Sequence, residues 1–245
     1  MKLSIIILNY NTSNITKKCI DSIPNFKFKY EIILIDNNSS DNIEQLEHSH
    51  KNLIFIKNKE NMMFAKGNNL GFSKSKGKYI MLLGSDTEII GRSIEVMLNF
   101  LEKNNNYDIV CPQLINKDRT IQPSCRKLPT LLNLITDKLG ISPEYKLNNW
   151  NHNNSQEVEQ PQATCIIIRR EILERYGLFD ERFPLYFNDV DFFKKMKNNG
   201  IQTYFLSEAK VLHLYGYSTK KIGIKRKWIL AKGAFQYFLK WGIFS

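Results

Sequence analysis

The sequence predicts an α/β fold built on a mainly parallel central sheet, and two observations carry that prediction. Unbroken apolar runs rich in Ile and Leu recur along the first hundred or so residues, as strands covered on both faces require. Segments with helical spacing and helix stop signals lie between them. Strand–helix units repeated at this length imply a parallel sheet with helices on both faces.

The first run, "LSIIILNY", reads as a buried strand. Thr12 or Ser13 is placed to cap a helix reaching about Ile23, which Pro24 ends. "EIILIDN" is the second strand, and Ser40 of the following "SSD" is placed to cap a helix carrying Ile43 and Leu46. "NLIFIKN" is the third strand, Asn68 to Lys76 a helix, and "YIMLL" the fourth strand. Ile94, Met97, Leu98 and Leu101 then mark a helix at core-facing spacing. From Asp108 the pattern changes. "DIVCPQLIN" and "TIQPSCR" suggest a hairpin around Lys117-Asp118, and the polar stretch 142–159 reads as a mobile loop. "ATCIIIRR" is a strand leading into a helix near Glu171. "NDVDFFKKMKNNG" is a helix with acidic first turn, basic later turns and Gly200 as its stop, an order matched to the helix dipole. "TYFLSEAKVLHL" is expected to form two closing strands, and "KRKWILAKGAFQYFLKW" a final amphipathic helix.

At 245 residues the chain fits one generous domain or a domain with a small appendage, and the expected boundary gives 1–216 and a helical extension 217–245. The 35 Lys and Arg against 24 Asp and Glu leave a net charge of +11. That favours phosphate-bearing partners, whether nucleic acid, anionic lipid headgroups or nucleotide-linked substrates, or gives a basic surface kept soluble by its charge. No recognition-helix, zinc or aromatic-platform motif supports nucleic acid. Cys19, Cys111, Cys125 and Cys165 are scattered without a C-x-x-C pair, as in reduced cytoplasmic thiols. The N-terminal apolar run is cut by Asn9 and Asn11, as in a first strand and unlike a signal peptide, and no run reaches the ~18 residues of a membrane span.

Open parallel sheets bind ligands beyond the carboxyl ends of their strands. There the sequence places Asn9-Tyr10-Asn11, Asp36-Asn37-Asn38 and Gly84-Ser85-Asp86, an amide-rich and acidic rim. Asp36 is suited to accept a hydrogen bond from a uracil or thymine ring N–H, and Gly84 to leave room for a phosphate. Asp86 is suited to hold a divalent cation bridging to substrate phosphates. "NDVD" at 188–191 offers two carboxylates at a helix start, either an acidic first turn or a general base. His213, at a strand end, is a candidate metal ligand or a plain polar residue.

In order from about Leu3 to Gly216, six segments resemble the bacterial family 2 glycosyltransferases of the GT-A fold, especially rhamnosyltransferases. They are "SIIILNYNTSNITKKCIDSI", "EIILIDNNSSD", "NKENMMFAKGNNLGFSKSKGKYIMLLGSDTEI", "PSCRKLPTL", "RREILERYGLFDERFPLYFNDVDFFKKMKNNG" and "AKVLHLYG". The resemblance implies a Rossmann-like nucleotide-diphospho-sugar transferase fold and inverting transfer of a sugar to a glycan or lipid-linked acceptor in cell-surface polysaccharide synthesis. Its donor would be a dTDP- or UDP-sugar, with dTDP-rhamnose suggested by the branch, and its cofactor Mg2+ or Mn2+. By match, Tyr10, Asn11 and Asp36 take the nucleotide base, and Lys66, Gly67 and Asn68 line the nucleotide pocket. The metal motif falls on Gly84-Ser85-Asp86, with His213 completing the metal site, and the base motif on Asn188-Asp189, with Asp189 as base. Ser85 and Asp191 join the substrate-binding candidates.

Three positions depart from the family pattern: Gly84 for an acid or Asn, Asn188 for Glu, and Met63 for a Gly, where the larger side chain narrows the pocket. They keep a second reading in view, a catalytically degenerate nucleotide-sugar-binding or scaffold protein. The last helix mixes Lys225, Arg226, Lys227, Lys232 and Lys240 with Trp228, Phe235, Phe238 and Trp241. Such a helix suits peripheral contact with an anionic membrane at the inner face of the cell, or packs on its own domain.

Overall fold

The computed structural model describes residues 1–133, 152–214 and 225–242. Its strands are β1 (Leu3–Asn9), β2 (Tyr30–Asp36), β3 (Leu53–Lys57), β4 (Tyr79–Gly84), β5 (Thr87–Ile90), β6 (Ile109–Ile115), β7 (Cys125–Arg126), β8 (Gln156–Val158), β9 (Gln160–Pro161), β10 (Cys165–Arg169) and β11 (Thr203–His213). Its helices, numbered among the described residues, are α1 (Ser13–Asp21), α2 (Met63–Lys74), α3 (Ser93–Lys103), α4 (Arg170–Tyr176), α5 (Asn188–Asn198) and α6 (Lys225–Trp241).

The main sheet runs β3-β2-β1-β4-β10-β6-β11-β5, with β8 also on β11. β3, β2, β1 and β4 are parallel; β10 is antiparallel between β4 and β6; β11 runs parallel to β6. Successive side chains of a strand point to opposite faces, so each apolar run feeds two cores. Ile5, Ile7, Ile32 and Leu34 meet Cys19 and Ile20 of α1 and Ile94, Met97 and Leu98 of α3 on one face. On the other face Ile6, Ile33, Ile35 and Leu82 join a core with Ala65 of α2 and Phe192, Phe193 and Met196 of α5.

Gly67 and Gly71, one helical turn apart, let α2 lie close on the sheet. A Cβ at Gly71 would sit 2.4 Å from Ile6 Cγ2 and 2.9 Å from Ile35 Cδ1, and one at Gly67 would sit 2.6 Å from Leu8 Cδ1. Gly71→Ala is therefore expected to destabilise the fold by about 1–2 kcal/mol net, an overpacking cost toward the upper end of about 1–3 kcal/mol offset by the ~1 kcal/mol gained in helix propensity. Calorimetric unfolding checks this, and an unchanged or raised midpoint would show a looser contact than the structure gives.

Several expectations need correction. Ile43–Leu46 forms only a 3₁₀ turn, with Asn42 rather than Ser40 at the N-cap position and no side-chain capping bond. α2 begins at Met63, five residues before Asn68, because a distant segment holds its start: Phe64 N and Ala65 N donate to Pro184 O at 2.8 and 3.1 Å. β5 was not expected, and its partner is the C-terminal half of β11. The two closing strands are one, since a register shift between Leu206 and Lys210 absorbs the polar Ser207-Glu208 without a turn. The hairpin around Lys117-Asp118 is present but short, with Asn116 N donating to Thr120 O, Gln122 N to Leu114 O and one bridge between Ile115 and Ile121; β7, farther on, pairs with β9. Within 142–159 the described end carries β8, antiparallel on β11; residues 142–151 lie outside the described residues.

All four cysteines are free and buried, and burial pushes the Cys19 thiol up to about 12. No helix among the described residues is long and apolar enough to cross a membrane.

Candidate functional site

Register sets the rim. Asn9 lies opposite Asp36, and Leu8 opposite Gly84, so the carboxyl ends of β1, β2 and β4 meet. Two of the residues expected to face a nucleotide base are instead engaged by neighbouring protein groups there. Asp36 is 0% exposed; its carboxylate accepts from Ser39 N at 3.1 and 3.3 Å and from Asn9 Nδ2 at 3.2 Å. Asn11, at φ 54, donates its N–H to Ser39 Oγ and accepts from Ser40 N at 2.7 Å. These bonds brace the β2 exit loop, while Tyr10, 40% exposed, and Asn38 lie at the surface of the rim.

Lys66 is exposed on α2, whereas Asn68 is buried and donates to Phe64 O at 2.9 Å. Gly67 is buried against Leu8, so its missing side chain serves helix packing and not a pocket wall. Met63, which stands in place of the family's glycine, keeps the left-handed backbone that glycine favours, at φ 59. Its side chain is 44% exposed.

The end of β4 is built more tightly than a phosphate approach requires. A Cβ at Gly84 would lie 3.1 Å from Asp86 Oδ1 and 3.3 Å from Thr164 Cγ2. Gly84 thus makes room for the Asp86 carboxylate itself, a correction to the open approach expected from sequence. Ser85 is buried, its Oγ 3.4 Å from Thr12 Oγ1.

Asp86 and His213, 127 positions apart by their numbers, come together because β11 pairs antiparallel with β5, placing His213 opposite Thr87. His213 Nε2 is 3.5 Å from Asp86 Oδ1, with side-chain exposures of 8% and 13%. On the other side of the ring, Nδ1 is 2.6 Å from Gln122 Oε1. The Gln122 amide is itself oriented, because its Nε2 donates to Asn116 Oδ1 at 2.8 Å. An amide oxygen only accepts, so Nδ1 carries the hydrogen and Nε2 is the ring atom turned to Asp86. A carboxylate oxygen and an imidazole nitrogen converging in this way fit a divalent cation whose remaining ligands come from elsewhere. Among the described residues no group of three or more His, Cys, Asp and Glu side chains stands ready to hold a metal alone.

Asp189 opens α5. Its Oδ1 accepts from Val190 N at 2.8 Å and its Oδ2 from Gln160 Nε2 at 3.3 Å, while its own N–H donates to Asn188 Oδ1 at 2.7 Å. Burial pushes the Asp189 carboxyl above the ordinary range, offset in part by the Val190 amide and by the charge of Arg126. Arg126 belongs to β7 and pairs in register with Gln160 of β9, so this small sheet flanks Asp189. Gln122, which touches His213, and Arg126, whose charge acts on Asp189, are four residues apart on one segment, with their Cα atoms at most about 14 Å apart.

Asp191 is placed elsewhere. Its side chain is 1% exposed, with Lys240 Nζ at 2.7 Å from Oδ1 and 2.9 Å from Oδ2, and Trp241 Nε1 donating to Oδ1 at 2.7 Å. Both oxygens are thus spent on the C-terminal helix, and the substrate contact expected of Asp191 gives way to an anchor. Sequence reading missed Gln122, Gln160 and Arg126. The signal open to it was two glutamines, each just before a proline ("IQP" and "EQP"), in segments of strand character.

The family profile described as Glycosyl transferase family 2 matches residues 4–177. The chain belongs to that family. A hexosyltransferase of low-salt glycan biosynthesis, Agl10 of Haloferax volcanii, is 24% identical over 203 residues, 81% of this chain and 62% of its own length. An uncharacterised glycosyltransferase of Rickettsia prowazekii is 29% identical over 196 residues, 79% of this chain and 58% of the relative. The N-acetylglucosaminyl-diphospho-decaprenol L-rhamnosyltransferase of Mycobacterium tuberculosis is 24% identical over 149 residues, 58% of this chain and 48% of the relative. This family 2 chain therefore spans less than two thirds of these relatives' length. Among solved structures, GalNAc-T7 with UDP, GalNAc and Mn2+ superposes with a TM-score of 0.67 at 15% identity, covering 88% of this chain and 44% of that one. Residues 1–349 of Staphylococcus aureus TarS with UDP-GlcNAc give 0.64 at 19% identity, covering 88% and 59%. The fold is GT-A, an α/β architecture on a mixed, mostly parallel sheet.

Proposed function

We propose that this chain is an inverting glycosyltransferase that moves a sugar from a nucleoside diphosphate donor to a hydroxyl of a glycan or lipid-linked glycan in cell-surface polysaccharide synthesis. The observation that carries the reading is the convergence of Asp86 and His213 beside the strand ends; Asp189, at the start of α5, adds a carboxyl whose basicity burial raises. Rhamnose from a dTDP donor is the preferred sugar, on the similarity to the mycobacterial rhamnosyltransferase, whose name also gives a lipid-linked acceptor. UDP-sugars are the other donor class, as in the TarS complex. A lipid-linked acceptor puts the enzyme at the inner face of a membrane, and four reduced thiols suit the cytoplasmic side.

Asp86 and His213 would hold Mg2+ or Mn2+, which when bound supplies charge neutralisation to the diphosphate. Gln122 fixes the ring of His213 so that Nε2 faces the diphosphate side. Asp189 takes the proton of the acceptor hydroxyl as that oxygen attacks the anomeric carbon. The bond from that carbon to the diphosphate breaks, and the nucleoside diphosphate leaves. A single displacement inverts the centre, with no sugar–enzyme bond.

Thermal-shift titration with nucleoside diphosphates and nucleotide-sugars, with and without Mn2+, tests donor and metal together, since a ligand that binds only the native state raises its midpoint. Stabilisation by a nucleoside diphosphate that requires Mn2+ and vanishes in Asp86→Asn is expected. Gln122→Leu should weaken the Mn2+-dependent affinity about 10–100-fold, as loss of the group orienting a metal-ligating histidine does. Mn2+-independent binding in the wild type would remove the metal from the proposal. Nucleotide binding without donor consumption in the presence of acceptors would favour the degenerate protein instead, the reading to which Gly84 and Asn188 point.

A further inference from the structure

α6 is apolar on two opposite sides, and only one is used by the domain. Tyr237 is 0% and Phe238 9% exposed, packed with Phe183, and Gly233 lies against Phe187 and the Tyr186 carbonyl. Lys240 and Trp241 fasten the same side to Asp191, and Lys240 reaches Asp180 at 2.9 Å as well. The rotation of the helix is therefore fixed. Opposite Tyr237, Trp228, Phe235 and Leu239 stand 78%, 69% and 75% exposed. At 100° per residue these three fall within about 40° of one another, a continuous outward stripe. Lys227 and Lys232 are exposed beside it.

We propose that this outward stripe docks the protein on an anionic lipid bilayer, with Trp228, Phe235 and Leu239 entering the interface and the lysines meeting headgroup phosphates. The proposal rests on the lipid-linked acceptor reading for its purpose, and on α6 alone for its chemistry. Charge selects the occupant. The helix carries five Lys and Arg and no Asp or Glu, within a chain of net charge +11. A two-fold contact with a second copy would set like charges against each other, whereas an anionic surface complements them. Exposed apolar side chains flanked by lysines on one side of a helix are the composition of an interfacial helix. The inner side of α6 lies directly over Tyr186 and Phe187, the residues leading into Asn188 and Asp189. A docked helix thus holds the proposed base near the headgroup layer, where a lipid-linked acceptor presents its sugar.

Flotation with phosphatidylcholine–phosphatidylglycerol vesicles, against phosphatidylcholine alone, is the test. The wild type should bind the anionic vesicles, more weakly as salt rises, and bind neutral vesicles far less. The triple variant Trp228→Ser, Phe235→Ser, Leu239→Ser should lose about a hundredfold or more in partitioning, and Lys227→Glu with Lys232→Glu about tenfold or more. Both variants should keep the wild-type unfolding midpoint, which shows that the fold is intact. Failure of the wild type to bind anionic vesicles, or equal binding by the triple variant, would overturn the proposal. So would a wild-type dimer in sedimentation that the triple variant dissolves, because a second copy would then cover the stripe. Vesicle binding by a chain that consumes no donor would instead strike the transferase reading and leave the docking surface standing.

Discussion

Replacing Asp189 with Asn is expected to lower transfer by about 10²–10⁴-fold while leaving nucleoside diphosphate affinity close to wild type. The size follows from the usual contribution of a positioned general base, about 3–5 kcal/mol of barrier. The selectivity follows from position, because Asp189 sits with Gln160, Val190 and Arg126, while the proposed diphosphate site is built on Asp86 and His213. Asparagine keeps the shape and can still accept from Val190 N on its one oxygen, losing only the longer bond from Gln160, so the fold should survive. Turnover and nucleotide titration on the same preparation decide it; lost donor affinity with preserved turnover would reassign the residue.

The pH profile supplies an independent reading of the same side chain. Burial raises the Asp189 carboxyl, so the base form is reached only above the ~3.9 of an ordinary aspartate, and the acid limb of kcat/KM should lie above that value. Gln160 donates to the charged form, so Gln160→Leu should move the acid limb to still higher pH. A merely structural glutamine would change stability and leave the limb in place.

The second large effect concerns stability. Lys240→Met is expected to cost about 3 kcal/mol, the low end for removing one partner of a buried ion pair, since the Asp191 carboxylate is left 1% exposed with only Trp241 as an α6 donor. For a chain of this size that lowers the melting midpoint by about 6–12 °C. Adding Asp191→Asn should recover much of the loss, because the stranded charge is then gone. A midpoint shift within about 1 °C for the single variant would mean that α6 is not held by this pair. The anchor is also acid-sensitive. Arg182 first, and then Lys240, hold the Asp180 carboxyl well below its usual range, against the opposing effect of burial. A carboxyl depressed in the folded state contributes stability that is present above its unfolded value near 3.9 and is lost as pH falls below it. The melting midpoint should therefore hold steady above about pH 5 and fall as pH drops below about 4.

Local pattern determined a good deal by itself. Runs such as "SIIIL" and "EIILI" exclude water on both faces wherever they pair, so strands with helices on either side followed from composition and spacing. The polar residues closing those runs had to gather at one rim once the strands were parallel, and Asp86 was singled out on that ground. His213 and Asp189 were visible as residues capable of chemistry, the one at a strand end and the other at a helix start.

Only the tertiary structure decided what those residues touch. His213 reaches Asp86 through the pairing of β5 with β11, a partnership between segments about 120 residues apart in sequence that no local periodicity encodes. Asp191 sits two residues from Asp189, yet it turns to Lys240 and Trp241; the direction of a side chain on a helix assigns it to whatever packs on that side. Gly84 read in sequence as room for a phosphate and Gly67, by resemblance, as part of a nucleotide pocket lining; the space beside them is taken by Asp86 with Thr164 and by Leu8. Strand and helix identity depend on neighbours along the chain, whereas partners, packing and the occupancy of space depend on residues far away in it.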